Sequence, residues 1–190
     1  MAQLTWMVTG CISGFGEKFV PAIVARGDRV VATGLNASNS IKHLEGPNVA
    51  ILDLDITATQ IELDRKIKEA LGFFGGIDIL VNNAGYLRAG VMEEVRFVKF
   101  LIFETGAERA DAVTRHSGER FMAVYETNVI GAINVTRAIL PHFREKNRGK
   151  LVFLGSLFGW QGDIGLSPYC ASKFALEGEK FLKYSWLLVS

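Results

Sequence analysis

Short apolar runs recur along the chain at residues 4–8, 29–33, 48–52, 77–81 and 150–154, with longer amphipathic stretches between them. Runs of that length, too short for helices and apolar throughout rather than alternating, predict strands buried on both faces. Their alternation with helix-length segments predicts βαβ units feeding a parallel sheet. The intervening helices are predicted at about 14–26, 58–71, 119–146 and 168–182. The second shows Ile61, Ile67, Ala70 and Leu71 near helical spacing, with Glu62, Lys66 and Lys68 on the solvent side. The first contains Pro21, which removes a backbone donor and should cost or kink something unless it falls in the opening turn. Right-handed crossovers then give an α/β fold: a doubly wound, Rossmann-like parallel sheet in three α/β/α layers.

Composition narrows the classes of function. The 190 residues fit one domain, 1–190, and 49% apolar with 22% charged residues excludes disordered, collagen-like and coiled-coil chains. A formal charge of +1 offers no electrostatic footprint for nucleic acid or an anionic membrane surface. No run approaches the ~18 apolar residues of a membrane span, and no basic leader precedes the first strand. A soluble, cytoplasmic protein is expected. The two cysteines, Cys11 and Cys170, are too few for a disulfide framework, and they and His43, His116 and His142 lack metal-ligand spacing, so no metal is expected. Residues 144–150 read as a solvated helix end. Glycine is the outlier, at 20 residues against the usual roughly 7%.

The glycines cluster where they have a use. Thr9-Gly10-Cys11-Ile12-Ser13-Gly14-Phe15-Gly16 follows the first strand and opens a helix, the place where a doubly wound sheet binds a pyrophosphate. Gly10 would turn the chain sharply out of the strand, Gly14 would admit phosphate oxygens to the backbone, and Gly16 would let the helix pack closely. Backbone N–H groups along Gly10, Ile12, Ser13, Gly14, Phe15 and Gly16, with the positive end of the helix dipole, would face the anion. A glycine-rich turn without a ligand is the alternative. Cys11 is either a thiol acidified by the helix N-terminus or a small buried loop residue.

The second strand ends in Gly34-Leu35-Asn36. A carboxylate here bonds a ribose 2′-OH and a cation accepts a 2′-phosphate. Neither is present, which leaves the choice between NAD and NADP open, and the missing negative charge leans toward NADP. After the third strand, Asp55 could accept an adenine amino group, with Asp53 or Asp55 as a helix cap the alternative.

Ser167-Pro168-Tyr169-Cys170-Ala171-Ser172-Lys173 reads as a helix start, with Ser167 at the N-cap and Pro168 in the first turn. Tyr169 and Lys173 are then i and i+4 on one face. A phenol is a poor acid or base at neutral pH until a neighbouring ammonium favours phenolate. An ordinary solvated helix face is the competing account. Ser156 closes the fifth strand thirteen positions before Tyr169, at the carboxyl edge where such sheets bind ligands, and its hydroxyl could orient a carbonyl. Asn128 lies in an apolar helix, where a buried amide must find partners; it could hold a relay water or tie helix to sheet.

Taken in order, Thr9-Gly10-x-x-x-Gly14-x-Gly16, Asn82-Asn83-Ala84-Gly85, Asn128, Ser156 and Tyr169-x-x-x-Lys173 resemble the short-chain dehydrogenase/reductase family from Leu4 to about Gly178. The resemblance implies a nicotinamide cofactor and an alcohol/carbonyl substrate. It implies Tyr169 as proton donor or acceptor, Lys173 favouring its ionised form and holding the nicotinamide ribose, Ser156 polarising the carbonyl and Asn128 in the relay. It also assigns Asn82, Ala84 and Gly85 to the adenosine side of the cofactor, and it brings the expectation of a homo-oligomer, since helices four and five of such folds often form dimer faces.

The resemblance breaks twice. Forty-three positions separate Gly85 from Asn128, roughly 20 more than one short helix and its loops need. The excess falls at 95–118, read as a lid or partner-binding segment, a lengthened surface helix and loop, or translated non-coding sequence, with the last favoured. At the other end the chain stops at Ser190, where family members continue into a sixth strand, a substrate-covering loop and a seventh strand. The expectation is a chain incomplete at its C-terminus, lacking most of the substrate pocket, with the sheet edge beside strand five unpaired. Hence two functional readings stand: an NAD(P)-dependent oxidoreductase, or a catalytically silent form that binds cofactor or pairs with a full-length relative.

Overall fold

The computed structural model describes residues 2–87, 121–163 and 165–180. The 95–118 segment and the C-terminal residues beyond 180 lie outside the described residues. Five strands form one sheet: β1 (Thr5–Val8), β2 (Arg29–Gly34), β3 (Val49–Asp53), β4 (Ile79–Asn82) and β5 (Lys150–Phe153). Their order is β3-β2-β1-β4-β5 and every pairing is parallel. The predicted strand sites and the doubly wound fold are therefore present, with the direction of strand order reversing between β1 and β4.

Helices α1 (Gly14–Ala25), α2 (Ala37–Ser40), α3 (Gln60–Phe73), α4 (Ala132–Glu145) and α5 (Ser167–Lys180) accompany the strands. Thr59 begins α3 by accepting a hydrogen bond from the Glu62 amide on its hydroxyl. Pro21 lies well inside α1 rather than in its opening turn, so one ladder bond is lost on a face where the residue is exposed. The short α2 and a 3₁₀ turn at Lys42–Leu44 carry no periodic signal and were not anticipated from the sequence. Helical residues 121–125 lead into a π-helical turn at Glu126–Gly131, and α4 continues from there.

The described chain forms two compact units. Residues 2–84 and 131–154 make the first, which holds the whole sheet. Strand alternation sends Met7, Val31 and Leu80 to one face, against Leu63 and Ile67 of α3 and Val135, Ile139 and Phe143 of α4. Val8, Val30 and Val81 go to the other face, against Val20 and Ile23 of α1 and Ala37 and Ile41. This is the expected three-layer arrangement. Strand β5 departs from the prediction of burial on both faces: Lys150 and Val152 are exposed, and among the described residues β5 is an edge strand. The second unit contains residues 85–87, 121–130 and 155–180 apart from residue 164. No helix among the described residues is long and apolar enough to cross a membrane.

Candidate functional site

In the first unit, the segment after β1 is shaped by glycines that serve three different ends. Gly10 has φ +71°, and a Cβ there would lie 2.7 Å from Ala84 Cα, so the loop after β1 and the loop after β4 touch through bare backbone. A Cβ on Gly16 would collide with the Gly10 carbonyl oxygen and lie 2.6 Å from Asn83 Nδ2. Gly16 thus lets α1 pack against both the loop after β1 and the loop after β4. Gly14 has φ +60° and open space where its Cβ would be. Among the described residues, no atom outside its own turn lies within 4 Å of that position.

Ser13 takes the N-cap position of α1 but makes no side-chain capping bond, so the first-turn N–H groups are not spent on a cap. Ile12 and Phe15 are exposed beside the loop. Cys11 faces inward, fully buried, with its thiol donating to the Val8 carbonyl at 3.2 Å. Burial pushes that thiol up to about 12, against the smaller opposing pull of a backbone bond at Thr33. Of the two readings of Cys11, the buried loop residue is the one the structure supports. Open backbone, uncapped donors and a helix dipole together fit a pyrophosphate.

A clasp that sequence reasoning missed holds this loop. The Thr9 hydroxyl accepts from the Asn83 amide at 3.1 Å and the Ala84 amide at 3.0 Å. Asn83 Nδ2 donates in return to the carbonyls of Thr9 at 2.8 Å and Gly10 at 3.1 Å. Four bonds thus join residues 73 to 75 positions apart, and the signal for it was the second asparagine of Asn82-Asn83, which can saturate two carbonyls with one amide. Asn82 itself is buried and donates to the Thr136 hydroxyl at 3.0 Å, which ties β4 to α4, while its Oδ1 has no partner among the described residues.

At the ends of β2 and β3 the carboxylates separate in role. Asp53 accepts from the Ser38 amide and the Ser38 hydroxyl, both at 2.8 Å. These bonds hold its carboxyl below the usual carboxylate range, backed by Lys66. Asp53 is the residue that fastens the start of α2. Asp55 closes a turn on itself, accepting from the Thr57 amide and hydroxyl at 2.8 and 2.7 Å through Oδ1. Gly34 is buried, and a Cβ there would lie 2.8 Å from Ile12 Cγ2, whereas Leu35 is exposed and Asn36 adopts a left-handed conformation.

The second unit gathers the residues whose side chains carry chemistry. Ser156 opens a 3₁₀ turn at Leu157–Gly159, its hydroxyl accepting from the Phe158 amide at 3.2 Å. That turn packs on α5, where a Cβ on Gly159 would lie 3.1 Å from the Lys173 carbonyl oxygen. The Phe158 ring meets the Tyr169 ring edge-on, at 6.3 Å between centroids. Helix α5 begins at Ser167, one residue before the expected start, and the Cys170 amide closes its first turn on the Leu166 carbonyl. Tyr169 and Lys173 share a face as predicted: Lys173 Nζ lies 5.6 Å from the Tyr169 ring centroid, and Lys173 is only 7% exposed.

Asn128 occupies the π turn, a feature that recurs at functional sites. It is 1% exposed and fully engaged by its neighbours. Its Oδ1 accepts from the Tyr86 amide at 2.9 Å, and its Nδ2 donates to the Tyr86 carbonyl at 3.0 Å and the Ser172 hydroxyl at 3.1 Å. Gly85, just before Tyr86, is exposed. The side chain thus ties the segment after β4 to α5.

Comparison with known proteins bears on the family and the fold. The short chain dehydrogenase profile matches residues 5–179. The chain is 34% identical over 185 residues to the oxidoreductase calM of Penicillium decumbens, covering 93% of this chain and 54% of that protein. It is 32% identical over 178 residues to an uncharacterized oxidoreductase, YusZ, of Bacillus subtilis (strain 168), covering 90% and 55%. Among solved structures, a short-chain dehydrogenase from Streptomyces avermitilis superposes with a TM-score of 0.74 at 30% identity, covering 94% of this chain and 58% of that one. The chain spans about half the length of the curated relatives it matches. With the profile covering nearly all of the chain and the parallel sheet in place beneath it, the chain belongs to the short-chain dehydrogenase family.

Proposed function

We propose that this chain works as a nicotinamide-dependent oxidoreductase on an alcohol/carbonyl pair, with Tyr169 as general acid/base. The observation that carries the reading is the Tyr169/Lys173 pair, with a largely buried ammonium one helical turn from a phenol. The pair sets a positive charge one helical turn from the group proposed to move the proton. The Ser156 hydroxyl, at the head of the turn that packs on α5, is suited to orient a substrate oxygen. Asn128 and its π turn belong to the proton relay, with both side-chain donors already committed. Gly10, Ile12, Ser13, Gly14, Phe15 and Gly16 supply the phosphate-binding backbone, while Asp55, Asn82, Ala84 and Gly85 serve the adenosine end. When bound, the nicotinamide supplies or accepts hydride; the chain contributes position and electrostatics.

NADP is the preferred cofactor in this reading, since Gly34-Leu35-Asn36 presents no carboxylate to repel a 2′-phosphate. The test is fluorescence titration with NADPH and NADH, followed by Tyr169→Phe. NADPH should bind more tightly than NADH. Tyr169→Phe should abolish cofactor-linked turnover and leave cofactor affinity within about twofold, roughly 0.4 kcal/mol. Loss of binding in that variant would contradict the role given to Tyr169. Binding without turnover in the unaltered chain would favour a second reading, a cofactor-binding form that is catalytically silent.

A further inference from the structure

Ser172 is fully buried in α5, yet it is polar and precedes Lys173 directly. Its hydroxyl accepts from Asn128 Nδ2 at 3.1 Å and donates to the Tyr169 carbonyl at 2.7 Å. The direction of this chain is fixed from outside it. Because the Tyr86 amide donates to Asn128 Oδ1 and the Tyr86 carbonyl accepts from Nδ2, the amide cannot be flipped without breaking both bonds. Nδ2 therefore faces Ser172 as a donor, and the Ser172 proton has to go to Tyr169. In an α-helix the carbonyl of residue 169 is also the ladder acceptor for the amide of residue 173. One carbonyl thus gathers the Ser172 hydroxyl and the backbone of Lys173, and successive bonds along such a chain strengthen one another.

We propose that Ser172 is a positioning residue, linking the Asn128 amide to the Tyr169 carbonyl so that the π turn sets the placement of the Tyr169/Lys173 pair. Its catalytic meaning rests on the function proposed above, so the test reads the link itself as well as the cofactor. The full chain is labelled with ring-¹³C tyrosine; of its four tyrosines, the Tyr169 signal is identified by its loss in Tyr169→Phe. Ser172→Ala should displace the Tyr169 signal while the Tyr125 signal stays in place, and should weaken NADPH binding about tenfold, or 1.4 kcal/mol. Ser172→Cys keeps nearly the same volume with a weak donor and carries the test if the alanine variant does not fold. A Tyr169 signal unmoved in either folded variant overturns the proposal, as does a displacement shared by Tyr125, which reports general loosening. An unaltered chain that ignores NADPH overturns the proposed function instead, leaving the tyrosine signals to decide the role of Ser172.

Discussion

The two units solve opposite problems. In the first, the candidate site is backbone, and its shape depends on side-chain atoms that are missing: Gly10 touches Ala84, Gly16 touches Gly10 and Asn83, and Gly14 leaves space. In the second, the candidate site is side chains, and its shape depends on atoms that are present: an asparagine amide with three hydrogen bonds and a serine hydroxyl with two. A loop that presents N–H groups is damaged by addition, and a cluster that presents a phenol and an amine is damaged by removal.

The largest effect should come from adding one methyl to the first unit. Gly16→Ala forces a carbon onto the Gly10 carbonyl and the Asn83 amide, neither of which can yield without opening the clasp at Thr9. A loss of about 3 kcal/mol is expected, measured from the urea midpoint, with NADPH binding lost alongside. Removing atoms from the second unit comes next. Asn128→Ala strands both backbone groups of Tyr86 and the Ser172 hydroxyl, at about 2 to 3 kcal/mol. Gly14→Ala sharpens the contrast within the loop: its left-handed conformation costs about 1 to 2 kcal/mol, but the methyl enters the space proposed for a phosphate. Affinity for NADPH should fall by more than stability does. Should Gly14→Ala unfold the chain more readily than Gly16→Ala, the division between packing and binding glycines is wrong.

Cys11 gives a pH test. Its folded pKa lies near 12 against an ordinary value of 9.0, so the folded chain holds this proton more tightly than the unfolded one. The stabilisation is fully present below about pH 9 and is lost as the pH rises from there toward 12. Cys11→Ala should flatten that part of the stability curve. A thiol reagent at pH 8 should label Cys11 only after unfolding; labelling at the rate of a free thiol in the folded chain would contradict its burial.

What could be read from the sequence follows from how far each determinant reaches along the chain. Strands β1 to β5 were legible because each is a local apolar run. The i, i+4 placement of Tyr169 and Lys173 was legible because α5 has a local start signal at Ser167-Pro168. The Thr9–Asn83 clasp and the Asn128–Ser172 bond were not legible, since each joins residues 44 or more positions apart and leaves no periodic trace. The π turn escaped for a different reason: one extra residue in a helical turn changes register without changing composition. At the end of β3, two aspartates two residues apart look equivalent in sequence, and only the position of Ser38 distinguishes Asp53 from Asp55.

The parallel pairing of β4 with β5 has a consequence for how this chain varies in length. Because neighbouring strands point the same way, the chain must travel from Asn82 back to Lys150 however short its path. The entropy of closing a loop grows only with the logarithm of its length, so lengthening that return by half adds about 0.4 kcal/mol. A tight hairpin would have had its register set by the turn and would have resisted such growth. Here the sheet is nearly indifferent to it, which makes this crossover, like the others of the parallel sheet, a place where the chain can gain residues at little thermodynamic cost.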